Sequence, residues 1–459
     1  MKKLLLIAAL FAAPVFSQEL PHPRNMDLPE SNYTRPDPVD YQLVLENGLI
    51  AYVAAADQVP LVTMSAFIRA GKVSDDKQGS AEALLDALQN PGLSETDRGD
   101  FKAALKRMTA EFSVEMHDEW TEITLNVPAE DRDEALSMFA GLLRDPAISA
   151  ANIERAASSA VPADSDLGGE SGPALYAGSL DAAVEHFYAI LYNEHPYGVQ
   201  PTAKDFADLD AADVAGFHAR YFVPGNMTLA VAGDIDVDEI NSRLVDLFDG
   251  WSASAVPEPE QLRSPTAAKK ALHHFPSDKL QAWLVFGHDL PQVPLEDQAA
   301  LEVMNYILAG GHLWTRMTIE TRYKYGYTND ASGFLEDKWF GPGGYNFRSY
   351  SRPEVISNIY ENMMDEVIRI RSEEVTGEEL FVAKGALAEG KFQVAYLDGY
   401  AATRSFALER LRHGNHDRSA SYVERIRGVE EDDVLKAARK YLHPDEMQVI
   451  LVGGDAFPL

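Results

Sequence analysis

Apolar and polar residues alternate with a period of two through residues 41–53 (YQLVLENGLIAYV), broken in the middle by Asn47-Gly48. That pattern predicts a β-hairpin turned at the Asn-Gly pair. A second strand is expected over 61–70 (LVTMSAFIRA), directly after Pro60. The period then changes: in 80–89 the residues Ala81, Leu84, Leu85 and Leu88 recur at helical spacing, and Asn90-Pro91-Gly92 supplies a stop. Residues 101–109 read as helix, 120–127 (WTEITLNV) as an alternating strand, and 131–144 as a helix with Leu136, Phe139, Leu142 and Leu143 on one face. Helices and strands in irregular alternation, with hairpin chemistry among them, place the chain in the α+β class rather than among parallel sheets.

The pattern also repeats. Residues 213–233 (DVAGFHARYFVPGNMTLAVAG) and 433–453 (DVLKAARKYLHPDEMQVILVG) align without a gap at an offset of 220. Asp213/Asp433, Val214/Val434, Tyr221/Tyr441, Pro224/Pro444, Met227/Met447 and Gly233/Gly453 are identical. Each copy reads as a helix, a Pro turn and a closing apolar strand. A period this long indicates a duplicated domain rather than a solenoid. The expected organisation is a first domain over 39–252, a Pro/Ser/Ala-rich linker over 253–268 and a homologous second domain over 269–459.

Composition narrows the function. The chain has 459 residues, 46% of them hydrophobic, which is enough to bury several cores at roughly 100–200 residues per domain. Residues 1–17 combine Lys2 and Lys3, the apolar run 4–13 and small residues ahead of Gln18, as a secretory signal does. The run is too short to span a bilayer. Residues 18–38 read as an extended, Pro-rich leader, and the mature protein is expected to be exported to a periplasm or beyond, with no membrane insertion. Cysteine is absent, which excludes disulfides and thiolate metal sites. The net charge of −32 argues against nucleic acid or an anionic membrane as partner, because phosphate binding needs a basic footprint.

Leu45-Glu46-Asn47-Gly48-Leu49, then Pro60, Gly71 and Gly79 with its helix, then Glu194-His195-Pro196-Tyr197-Gly198, and finally Tyr221, Pro224, Asn226, Gly233 and Asp234 follow one another in a telling order. In that order and spacing the chain resembles the insulinase-like (pitrilysin) metallopeptidase family over nearly its whole mature length. The resemblance implies two homologous α+β domains of the insulinase/mitochondrial-processing-peptidase-like metallohydrolase type, forming half of a clamshell around unfolded polypeptides. It also implies an inverted zinc motif, H-x-x-E-H, in which two His bind zinc, the Glu acts as general base and a distant Glu completes the ligands. Aligned on 79–81, this chain carries Glu82 at the first His, Leu85 at the base and Asp86 at the second His, and the distant Glu falls near Pro162-Ala163.

Every functional position of the motif is therefore changed. Leu85 cannot move a proton, and without imidazoles zinc affinity is poor, so no metal or cofactor is expected on this chain and zinc only in a partner. Glu82 and Asp86, spaced i, i+4 on one helix face, are either a solvated acidic pair or part of a site for a hard cation, with Asp164 and Asp166 as further oxygen donors. In the second domain the family keeps a substrate-contacting Arg and Tyr seven residues apart. The segment Gly310-Gly311, Thr315-Arg316, Glu320, Arg322, Gly326, Thr328 fits in order, placing Arg322 at the Arg and Asn329 at the Tyr, with Tyr325 and Tyr327 close enough to substitute. Arg322 either stabilises an oxyanion or pairs with a carboxylate.

Other candidates are weaker. His413 and His416 (HGNH) are a metal pair or a Gly-Asn turn, His195 reads as structural, and His273-His274 as solvent-exposed. Residues 340–349 (FGPGGYNFRS) read as a turn rather than a phosphate cradle, and strand 120–127 as either an edge that accepts substrate or an ordinary sheet strand. The resulting expectation is a chain inactive on its own: the non-catalytic subunit of an exported zinc peptidase, which closes the chamber and binds unfolded peptide for a zinc-bearing insulinase-like partner in a hetero-oligomer. The alternatives are a stand-alone peptide-binding or chaperone-like protein, and an active peptidase with an unrecognised site.

Overall fold

The Asn-Gly hairpin forms where the pattern puts it. In the computed structural model, which describes residues 33–92, 98–159, 178–265 and 268–459, β1 (Gln42–Val44) pairs antiparallel with β2 (Ile50–Ala55). Gly48 between them takes φ +91°, a left-handed value that a side chain disfavours. The expected signal segment, most of the leader, Pro162-Ala163, Asp164 and Asp166 lie outside the described residues. β3 (Leu61–Ile68), β4 (Glu111–Met116), β5 (Thr121–Pro128) and β6 (Met227–Gly233) complete a six-stranded sheet in the order β1-β2-β6-β3-β5-β4. Only β2 and β6 run parallel.

A second sheet holds β7 (Ala271–Phe275), β8 (Ala282–Leu290), β9 (Ala331–Leu335), β10 (Gly343–Ser351) and β11 (Gln448–Val452), in the order β7-β11-β8-β10-β9. Its one parallel pair is β7 with β11, and every other neighbour is antiparallel. Apart from β1, the two sheets have the same order and the same directions. The sequence repeat falls on matching pieces: helix Ala211–Tyr221, a turn at Pro224–Asn226 and β6, against helix Glu431–Tyr441, a turn at Pro444–Glu446 and β11. Its two aspartates do the same work. Asp213 accepts from the Asp210 backbone N–H at 2.9 Å and Asp433 from that of Glu430 at 3.0 Å, each closing a capping box at a helix start.

β4 was not foreseen. Its residues alternate over only six positions, with Glu111, Ser113 and Glu115 exposed, Phe112 half-buried, and Val114 and Met116 buried. Its presence changes the reading of 120–127: β5 is flanked by β3 on one side and β4 on the other, so it offers no open edge, and the exposed edge belongs to β4.

Each sheet buries one face under its own helices. The first core gathers Leu84, Leu88, Leu136, Phe139, Leu143, Val214 and Leu244 over β2, β3, β5 and β6, and the second gathers Met304, Leu308, Met317, Met363, Val367 and Val434. The other faces are covered by exchange. Helix Leu180–Leu191, from the first half of the chain, sets Ala183 and Phe187 against Val285, Ile450 and Val452 of the second sheet. Helix Gly399–His413, from the second half, lies on β6 and β2, with Thr228 Oγ1 donating to the Ala407 carbonyl at 2.9 Å and Phe406 fully buried beside Tyr52. Residues from Arg35 to the end accordingly form one compact unit. Among the described residues no helix is long and apolar enough to cross a membrane.

Candidate functional site: a vacated metal helix and an arginine segment

Helix Ser80–Gln89 forms over the residues the spacing marks, with Ala81, Leu84, Ala87 and Leu88 buried in the first core. It begins after Gly79 at φ +93°, where a Cβ would stand 2.9 Å from the Phe206 ring. Gly79 has no side chain to cap the helix, so Asp75 does it from outside, accepting from the Gly79 N–H at 2.8 Å and, longer, from Ala81 at 3.4 Å. Burial pushes the Asp75 carboxyl up to about 7, the two N–H groups pull it back, and the charge of nearby Glu82 adds to the rise. Glu82 is itself raised by burial, with Lys72 acting against the rise.

Asp86 is fully engaged. Arg155, on helix Ala150–Ser159, donates from Nε to Oδ1 at 3.0 Å and from the terminal nitrogen to Oδ2 at 2.6 Å. Asn152 donates to Oδ2 at 2.8 Å and Asn90 to Oδ1 at 3.0 Å. The Asp86 side chain is only 14% exposed. The solvated reading of the Glu82/Asp86 pair does not describe this, because Asp86 has a counter-charge 69 residues away, and the further donors of the hard-cation reading, Asp164 and Asp166, lie outside the described residues. Leu85 is half-buried and packs on the first core, which leaves no acid or base at the centre of the motif.

These donors do not suit zinc. There is no imidazole, one carboxylate is raised toward its neutral form by burial, and the other already holds a guanidinium, a partner that carries the same sign of charge as a metal ion. Among the described residues, no group of three or more His, Cys, Asp or Glu side chains is placed to hold a metal ion.

The helix also reaches the sheet edge. Gln89 Nε2 donates to the Val114 carbonyl of β4 at 3.2 Å, so one acceptor of this edge strand is already taken.

The second predicted set lies on the other half. Arg322 sits in a π-helical turn, Ile319–Lys324, and donates to the backbone carbonyl of Asn329 at 2.9 Å. That carbonyl stands where one of the two sequence readings put a carboxylate, and it joins the two residues that the resemblance sets at the Arg and Tyr positions. Tyr327 stacks on Tyr325 at 5.2 Å and packs against the second core. Tyr327 and Asn329 line a polar cavity of about 420 Å³ with Tyr350 and Arg352. Among the described residues no hydrogen bond or ion pair joins this set to Glu82, Leu85 or Asp86.

Most remaining histidines are structural. His195 is buried, accepts from the Tyr197 N–H through Nδ1 at 3.2 Å and bonds the Arg263 carbonyl at 2.9 Å. His413 and His416 flank Gly414, which ends helix Gly399–His413 at φ +73°, and His416 bonds Tyr52 Oη at 2.7 Å. His273 and His274 are not solvent-exposed as expected: β7 packs them half-buried, bonded to Gln448 Oε1 and the Gly454 carbonyl, both at 3.0 Å.

The join between the halves rests on residues with no local signal in the sequence. Glu119, 3% exposed, accepts from Tyr197 Oη at 2.6 Å and from the backbone N–H groups of Trp339 at 2.6 Å and Phe340 at 2.7 Å. Lys338 reaches Asp118 at 2.6 Å and Arg404 reaches Glu122 at 2.6 Å. The His-Pro-Tyr-Gly stretch thus positions the phenol that ties the β4–β5 turn to the β9–β10 turn.

Residues 208–387, which hold the first copy of the sequence repeat, strands β7 to β10 and the arginine segment, match the family described as the peptidase M16 inactive domain. Over that stretch the chain is an M16-like peptidase homologue. Uncharacterized zinc proteases of Mycobacterium bovis and Mycobacterium tuberculosis are 24% identical over 273 residues, 57% of this chain and 60% of theirs. The match therefore spans about three fifths of the length of these relatives. A Helicobacter pylori protein named as a non-peptidase homolog is 23% identical over 60% of this chain and 64% of its own. The fold is that of the M16 inactive-domain crystal structure from Pseudomonas fluorescens, with a TM-score of 0.71 and 19% identity over 91% of this chain and 99% of that one. The periplasmic protease PqqL of Escherichia coli superposes with a TM-score of 0.68 and 13% identity over 92% of this chain, which is 46% of PqqL.

Proposed function

We propose that this chain is the non-catalytic subunit of an exported insulinase-like zinc peptidase, closing the chamber and helping to bind unfolded peptide for a zinc-bearing partner. The observation that carries the reading is the Asp86–Arg155 pair on a helix that keeps its place and packing while its ligand positions do structural work. The chain brings no zinc and no general base of its own. It brings the closing wall of a chamber, the Arg322 segment and the polar cavity beside Asn329. That this chain corresponds to 46% of PqqL, a periplasmic protease, supports a division of labour in which a second half supplies what this one lacks. Export agrees with the signal-like run at 1–17.

Within that complex Arg322 is the donor that approaches the substrate carbonyl. It keeps N–H groups beyond the one given to Asn329, and a guanidinium placed where negative charge develops lowers the barrier only in the transition state. The test is reconstitution with a zinc-bearing insulinase-like chain from the same source. Cleavage of an unfolded peptide should appear on mixing and be absent from either chain alone. Arg322→Ala should lower the restored kcat on the order of a hundredfold with little change in assembly. No gain on mixing would remove the subunit reading, and full activity of Arg322→Ala would remove the role of the arginine.

A further inference from the structure

A second cavity, of about 400 Å³, lies where the two halves meet and contains none of the residues discussed for catalysis. Its walls are aromatic and cationic. Trp120, at the foot of β5, stacks on Trp339 with ring centres 5.5 Å apart and planes 2° from parallel. Phe392 and Tyr422 form a second plate at 5.0 Å and 11°. Between them stand three guanidinium groups, Arg412, Arg418 and Arg425, against two lining carboxylates, Asp337 and Glu409.

The carboxylates are already committed. Asp337 pairs with Arg412 at 2.9 Å, and Glu409 accepts from the Ser419 N–H at 2.8 Å and faces His416. Arg418 and Arg425 bond only neutral acceptors: Gln298 Oε1 at 3.0 Å for the first, and Ser421 Oγ at 3.2 Å, the Leu295 carbonyl at 3.4 Å and the Arg418 carbonyl at 3.0 Å for the second. Among the described residues neither is in an ion pair. Burial and then Arg412 lower the affinity of Arg418 for its proton, with Asp337 and Glu409 acting against them, and burial together with Arg418 and Arg412 drives His413 down to about 4, so that it is neutral near pH 7. Glu302, whose charge also bears on Arg425, is held by Lys391 at 2.6 Å, so the lining side chains carry one excess positive charge in a protein of net charge −32.

We propose that the cavity is a subsite for the free α-carboxylate end of a peptide whose last side chain is apolar or aromatic, an assignment that rests on the peptide-binding reading above. One excess positive charge matches one carboxylate better than a doubly charged phosphate. Arg418 takes the carboxylate through the N–H groups it does not spend on Gln298, and the Trp120/Trp339 and Phe392/Tyr422 plates take the side chain. The volume suits one terminal residue and a few waters.

The subsite is tested on the isolated full chain by tryptophan fluorescence, since Trp120 and Trp339 report on the cavity directly. One unfolded peptide ending in phenylalanine is titrated as the free acid and as the C-terminal amide. The acid should bind roughly tenfold tighter or more. Arg418→Met should abolish that difference while leaving the affinity for the amide unchanged. Equal binding of acid and amide by the unaltered chain overturns the subsite and leaves peptide binding standing, whereas binding of neither overturns both. Displacement of the acid by inorganic phosphate as readily as by N-acetylphenylalanine marks a general anion site and also overturns the proposal.

Discussion

Asp86 and Arg322 both stand where the sequence resemblance to insulinase-type peptidases puts working groups, and their surroundings are opposite. Asp86 is enclosed, with Arg155, Asn152 and Asn90 dividing its two oxygens among them. Arg322 stands at the surface with a single backbone acceptor and donors to spare. On the proposed reading the contrast gives two fates for a catalytic position. A ligand position absorbed into packing becomes part of the fold and is lost to function. A cation with donors to spare remains available to a substrate.

The largest effect expected from this contrast is on stability. Asp86→Ala strands Asn152 and Arg155 and should cost roughly 2–3 kcal/mol in urea denaturation. If instead it cost no more than a surface substitution, the helix would not depend on the pair. Arg155→Met should cost less, about 1 kcal/mol, because the Arg155 side chain is 41% exposed and Asp86 keeps its two asparagine donors.

Asp75 sharpens the comparison through pH. Its folded carboxyl lies at about 7, above the unfolded value near 3.9, so between these the folded state holds a proton that the unfolded state has released. Its contribution is fully present below about pH 4 and is lost as pH rises through 7. Asp75→Asn removes that slope while keeping an acceptor for the Gly79 N–H, so the variant should gain on the parent steadily from pH 5 to pH 8 in thermal melts. Parallel pH profiles would show that Asp75 does not carry a proton in the folded state.

The smallest effects belong to the open region. Arg322→Ala should change stability by less than about 0.5 kcal/mol, leaving its consequence to catalysis in the reconstituted complex. Gln89→Ala should be as mild, since it frees only the Val114 carbonyl, and it should not disturb the Asp86 network. A loss near that of Asp86→Ala in either variant would erase the distinction between enclosed and open positions.

How much of this was legible in the sequence follows from the range over which each signal acts. The Asn47-Gly48 turn, helix 80–89 and the two copies of helix, Pro turn and strand depend on residues close in the chain, and periodicity with turn chemistry reveals them. β4 was legible in principle, since 111–116 (EFSVEM) alternates polar and apolar residues, but the run is short and only two of its side chains are buried. The exchange of helices Leu180–Leu191 and Gly399–His413 between the sheets was hidden because a helix read from its pattern shows that it has an apolar face and not which sheet that face meets.

The candidate site divides in the same way. Glu82, Leu85, Asp86, Arg322, Tyr327 and Asn329 were found by spacing against a motif. Arg155, 69 positions from Asp86, and Glu119, which faces residues more than 200 positions away, were not, since only the folded chain brings them together. A cation near the emptied distant-ligand region was the one available hint of Arg155. It could not be told from any other surface arginine.

The account holds that the emptied zinc helix is closed by its own ion pair. Its most direct test is elemental analysis of the purified chain by mass spectrometry after equilibration with zinc, run beside an assay on an unfolded peptide. Less than stoichiometric zinc and no cleavage by the chain alone is the predicted result. One tightly held zinc per chain, with cleavage that a chelator abolishes, would contradict it.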